Sequence, residues 1–184
     1  MLFEILSLII SAVAGVLAGF LLLRFWMQAL RVRPPMSFAH SIFQLTDWIV
    51  KPIRRIVPGF LGFDWASVVA AWLVAVLASV FLLLLANQFA WPWVFLLAFH
   101  KLVQWAIFGL MGLLILEVIF SFVNPHAPLA PLVSALNAPF LAPIRRIIPA
   151  IGGFDFSVLV AFIILQVLER GLARLLAYLS IILM

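Results

Sequence analysis

Residues 51–70 read KPIRRIVPGFLGFDWASVVA, and residues 142–161 read APIRRIIPAIGGFDFSVLVA. At an offset of 91, 11 of these 20 positions are identical. The matches include Pro52 with Pro143, Arg54 with Arg145, Arg55 with Arg146, Pro58 with Pro149, Gly62 with Gly153 and Asp64 with Asp155. A shared bias toward apolar residues does not produce matched Pro, Arg, Gly and Asp. The chain is therefore an internal duplication. The same offset pairs Pro34 with Pro125 and Leu45 with Leu136, so residues 1–92 read as one repeat and 93–184 as the second.

Working outward, the flanks of each motif are long apolar runs. The chain has 184 residues, 68% of them hydrophobic and 9% charged, with a mean hydropathy of +1.34. A soluble domain is about 45–50% apolar and about 25% charged, so this surface must face lipid. Backbone polar groups in lipid have to be satisfied internally, which leaves helices or closed barrels. The runs are near-continuous rather than alternating, which favours helices. Four spans are expected: about residues 5–30, 65–86, 102–123, and from 156 toward the C-terminus. The last span either ends near Leu168 or continues past Glu169, Arg170 and Arg174. The opening Met-Leu-Phe-Glu lacks a basic stretch and reads as a retained first span. Residues 87–93, a polar pair followed by aromatics and a proline, read as a turn at the interface.

The expected fold class is an all-α membrane protein. About four transmembrane helices form two tandem parallel repeats, each a span, an interfacial amphipathic connector and a second span. Two spans return the chain to its starting side, so both connectors share a compartment. Arg24, Arg31, Arg33, Lys51, Arg54, Arg55, Arg145 and Arg146 lie at the connectors, against Lys101, Arg170 and Arg174 on the other side. That excess places the connectors in the cytoplasm, beneath a bacterial inner membrane.

Each residue type of the motif has a mechanical use. Pro52 and Pro143 suit the first position of a short helix, where no backbone N–H is needed. Ile53, Ile56 and Val57 form one stripe with the Arg pair off it, as in a helix lying on the bilayer with Arg54, Arg55, Arg145 and Arg146 among phosphates. Pro58 and Pro149 stop this helix, and Gly62 and Gly153 allow the turn back into the membrane. Asp64 and Asp155 then cap the descending span. Upstream, Gln44, Asp47, Lys51 and Arg54 share one helical face, with Asp47 and Lys51 at i,i+4; Ile42, Leu45, Ile49, Ile53 and Ile56 share another. Pro52 is a candidate kink in such a helix. The connector reads either as an anchor that sets helix depth or as a docking surface or vestibule.

Inside the spans, Arg24 and Glu117 lie at similar depth and are expected to pair across the two repeats. Gln28, Gln104 and Gln166 are lesser intramembrane candidates. Ser11, Gly15 and Gly19 make a small-residue face suited to close helix packing. His40, His100 and His126 lack ligand spacing, and there is no cysteine. No phosphate loop, triad or carboxylate pair is present, so no catalytic, cofactor-binding or metal residue is assigned. The net charge of +5 is clustered beside apolar spans. That points to anionic lipid headgroups rather than nucleic acid.

LLLRFWMQ (21–28), LTDWIVKPIRRIVP (45–58) and NAPFLAPIRRIIPAIGGFDFSVLVA (137–161) resemble the YggT family, called YlmG in plastids and Gram-positive bacteria. The resemblance covers nearly the whole chain. The first copy departs at Leu61, where the family has glycine, and at Ala66, where it has serine, with Ser67 one step on. The resemblance implies a multi-pass inner-membrane or thylakoid protein without an established activity. It also implies links to osmotic stress, cell division or envelope organisation and, in plastids, nucleoid distribution and cytochrome assembly. The expected function is a non-enzymatic scaffold or assembly factor, with an ion or solute transporter or channel component as the alternative. Besides lipid, the candidate partners are a cytoplasmic or membrane protein and a second copy of the chain.

Overall fold

Each apolar run becomes a helix because a helix satisfies its own backbone in hydrocarbon. The computed structural model describes residues 2–59, 62–87, 89–148 and 155–182. Six helices follow in order: α1 (Leu2–Ala29), α2 (Met36–Ile56), α3 (Trp65–Leu85), α4 (Trp91–Val123), α5 (Ala130–Ile147) and α6 (Phe156–Ile182). Four of them, α1, α3, α4 and α6, are long and apolar enough to cross a membrane. At 1.5 Å per residue the 21 residues of α3 span about 31 Å, matching a hydrocarbon core of about 30 Å. This is an all-α integral membrane protein.

Two sequence expectations are corrected, and one open alternative is decided. The third span starts at Trp91, not near residue 102, because Pro92 falls in the first turn of α4, where its missing N–H costs nothing. Helix α6 runs unbroken through Glu169, Arg170 and Arg174 to Ile182, so Leu168 is not its end. Pro52 and Pro143 lie inside α2 and α5 instead of opening short helices, and Pro139 also lies inside α5. An interior proline removes one backbone hydrogen bond. Helix α2 continues through Pro52, with the Asp47–Lys51 ion pair before it and the Arg54–Asp64 ion pair after it.

The chain resolves into two compact units, Met1–Ala29 with Met36–Ala106, and Leu30–Pro35 with Ile107–Met184. Helix α4 contributes to both. In the first unit α1 and α3 meet through small side chains: Ala14 and Ala18 face Ala66, Ala70, Ala71 and Ala78, with Leu21 and Val50 closing the core. Small residues let the two backbones approach. The close face is therefore Ala14 and Ala18. Gly15 instead lies under Trp105, whose Nε1 would be 3.1 Å from an added Cβ. Helix α2 packs on this pair through Ile42, Thr46 and Val50, with Ile49 and Ile53 partly buried against the core; of the expected apolar face Leu45 and Ile56 are exposed, as is Trp48.

In the second unit α5 packs on α6 with Leu132, Val133, Leu136 and Leu141 buried. The spans here do not close. Between the Ile107–Val123 part of α4 and α6 lies a cleft of about 520 Å³. Ala71, fully buried against α1, corresponds at the offset of 91 to Phe162, which lines the cleft.

Candidate functional site: an arginine clamp in each repeat

At the end of α2 the two arginines of the motif part company. Arg54 Nη2 donates to Asp64 Oδ2 at 2.6 Å, across the turn that leads into α3. Arg55 stays exposed and makes no ion pair among the described residues. The turn between them uses Gly62 at φ +83°, a conformation that a side chain disfavours. Asp64 occupies the cap position of α3, but its carboxylate makes no backbone cap bond. That expectation fails because the carboxylate is taken: besides Arg54 it accepts Ser67 Oγ at 2.7 Å and lies 3.3 Å from Arg24 Nε. Ser67 thus supplies from the next turn position what the Ser-to-Ala change at position 66 removed.

Arg24 reaches this cluster from α1. It is buried, 6% exposed, and donates through Nη1 to Asp47 Oδ1 at 2.7 Å and to Thr46 Oγ1 at 2.8 Å. Thr46 in turn donates to the Ile42 carbonyl. The Phe43 ring lies 4.7 Å from the guanidinium carbon, on the cation–π side of the group. Lys51 Nζ completes the set at 3.0 Å from Asp47. Burial pushes the Asp47 carboxyl up, but its bonds to Arg24 and Lys51 more than offset this and hold it below the usual aspartate range. Gln28 donates to the Gly62 carbonyl at 3.4 Å, a further tie from α1 to the turn.

The second repeat builds the same clamp with the span's charge reversed. Arg145, the counterpart of Arg54, donates to Asp155 Oδ2 through Nε at 2.8 Å, and its Nη2 lies 2.6 Å from the same oxygen. Nη2 also donates to Glu117 Oε1 at 3.0 Å, and Asn137 Nδ2 donates to Glu117 Oε2 at 2.6 Å. Asn137 is the counterpart of Thr46, so one register position accepts from a cation in one repeat and donates to an anion in the other. Asp155 Oδ1 accepts the Ser157 backbone N–H at 3.0 Å, the geometry of a helix cap, and also the Ser157 hydroxyl. Burial raises the Asp155 carboxyl; the Ser157 and Arg145 bonds outweigh it and leave the group low. Burial would lower Arg145, and its two carboxylates raise it instead. Arg146, like Arg55, is exposed and without an ion pair among the described residues.

Arg24 and Glu117, expected to pair across the repeats, each have partners within their own repeat. Each charge is answered inside its own repeat, because the aspartate after each turn and the polar residue at position 46 or 137 lie on the same hairpin. Pro52 and Pro143 sit on exposed sides of α2 and α5, away from the clamps. Gly153 and Pro149 lie outside the described residues, as does Leu61. Thr46 and Asn137 were missed from sequence; the signal was two polar residues at the repeat offset inside otherwise apolar helix faces. Among the described residues no three His, Asp or Glu side chains gather as metal ligands.

Spans joined by a connector helix, with the connector's first arginine fastened to the acid after the turn, define a duplicated membrane hairpin protein. Its relatives agree: the CCB3/YggT family model matches residues 3–85 and 96–176, one segment per repeat, and the chain belongs to that family. An uncharacterized Vibrio alginolyticus protein from the proC 3' region is 37% identical over 166 residues, covering 88% of this chain and 89% of that one. Escherichia coli K12 YggT, described as uncharacterized, is 30% identical over 173 residues, covering 93% and 90%. Pseudomonas aeruginosa PA0392, also uncharacterized, is 31% identical over 158 residues, covering 80% and 78%. No solved structure matches.

Proposed function

We propose that the protein is a non-catalytic scaffold of the bacterial inner membrane. Its connectors lie along the cytoplasmic face and present one free arginine each to anionic headgroups and to a protein partner. The observation that carries this reading is the division of labour within each Arg-Arg pair. Arg54 and Arg145 are spent on fastening the hairpin, while Arg55 and Arg146 remain exposed and unpaired among the described residues. Helix α2 adds a lipid-facing side, since Trp48 is 68% exposed beside Lys51, the pairing of aromatic and cation that suits a membrane interface. Osmotic or envelope stress is the setting the family resemblance suggests.

The transporter alternative has less to stand on. The charged side chains it would use, Arg24 and Glu117, are engaged within their own repeats, and Gln28 binds the turn. The test is photocrosslinking in native membranes from positions 55 and 146, with adducts identified by mass spectrometry. The scaffold reading expects a recurring protein adduct or selective anionic-lipid adducts from both positions. Random lipid adducts alone, or flux in proteoliposomes abolished by Glu117→Gln, would replace it with the transporter reading.

A further inference from the structure

We propose that the cleft between α4 and α6 in the second repeat holds one membrane lipid with a primary-ammonium headgroup. The cleft, about 520 Å³, falls within the roughly 300–1,000 Å³ of small-molecule sites. Its walls are aliphatic and aromatic, with Leu114, Val118, Leu159 and Phe162 among them. Several wall residues, Leu159 and Phe122 included, are exposed, so an occupant enters sideways from the surrounding lipid. That suits an acyl chain.

The polar end of the cleft decides the headgroup. Glu117, Asp155 and Arg145 all line it. One guanidinium answers two carboxylates, so this cluster carries a net charge of about −1. A carboxylate has about four lone-pair sites. Asp155 fills its own with Arg145 Nε and Nη2 and with the Ser157 amide and hydroxyl. Glu117 accepts two bonds, one per oxygen, and so has room for more. The site is short of positive charge and of hydrogen-bond donors. A primary ammonium supplies both, with three N–H donors, whereas a quaternary ammonium supplies the charge alone. An anionic headgroup would meet two carboxylates.

The first repeat does not offer this site. There the alanines close α1 against α3, and Arg24, Lys51 and Arg54 outnumber Asp47 and Asp64. The inference does not depend on what the connectors bind.

The test is native mass spectrometry of the full chain released from vesicles of equimolar phosphatidylethanolamine, phosphatidylcholine and phosphatidylglycerol. One phosphatidylethanolamine should stay bound, about tenfold above each of the other two, a difference of about 1.4 kcal/mol. Glu117→Gln should bring it down to the phosphatidylcholine level. Leu159→Trp, which fills the cleft and leaves the charges intact, should remove the bound lipid, with Leu77→Trp, on the exposed side of α3 in the first repeat, as the unaffected control. The proposal is overturned if the lipid lost on Leu159→Trp is phosphatidylglycerol or phosphatidylcholine as much as phosphatidylethanolamine. It is overturned equally if Leu159→Trp keeps the lipid. Should Glu117→Gln fail to fold, the headgroup comparison on the native chain and the Leu159→Trp result decide it.

Discussion

Arg24 is buried with two carboxylates within reach, and one of them, Asp64, is 2% exposed. Removing one partner of a buried ion pair leaves the other charge stranded, typically at a cost of about 3–5 kcal/mol. Arg24→Ala should therefore lower the thermal unfolding midpoint in detergent sharply. Arg55→Ala, on an exposed site, should change stability by no more than about 0.5 kcal/mol. Acid has a defined sign here. Asp47 and Asp155 are held below the ordinary aspartate range in the folded chain, so the unfolded chain binds protons first as pH falls. Their contribution is fully present above the ordinary value and is lost as pH drops through the folded one. The midpoint should be flat from about pH 8 to 5 and fall below about pH 4. Asp155→Asn should shrink that fall, and stability that rises on acidification would contradict the assignment.

At the scale of elements, the first repeat depends on alanine. Ala71 is fully buried between α1 and α3, while its counterpart Phe162 faces an open cleft. Ala71→Phe should overpack the first hairpin at a cost of about 1–3 kcal/mol, read by denaturant or heat, and no loss would mean the hairpin is looser than described. Gly62→Ala has open space for its Cβ but must adopt φ +83°, which should cost about 1–2 kcal/mol through the backbone alone. The helices themselves were legible because lipid leaves the backbone few alternatives. Proline was harder to place. Pro52 reads equally as a helix start or an interior break, and the difference lies in the tertiary ion pairs around it. The end of α6 was ambiguous because three charges interrupt the apolar run without breaking the helix. The cleft of the second hairpin was not legible: Phe162, at the position of Ala71, lines it, but a residue type alone does not say how far apart two spans sit.

For the molecule as a whole, duplication without identity is the main feature. The two repeats keep Arg54/Arg145 and Asp64/Asp155 and differ in what the preceding span contributes, a cation at Arg24 or an anion at Glu117. From sequence, both motif arginines read as facing phosphate and the acids as helix caps. Sequence spacing gives no sign that the first turns inward, because the choice is made by an acid ten residues downstream, beyond a turn. A charge in each span suggested one bridge between the repeats. Each charge has partners on its own hairpin. The duplicated clamp is best tested by a double-mutant cycle on Arg145 and Asp155, scored by unfolding free energy, with Arg146 and Asp155 as the parallel cycle. The arrangement described here predicts a coupling above about 0.5 kcal/mol for the first pair and simple additivity for the second. Additivity in both cycles, or coupling that appears at Arg146 instead, would contradict it.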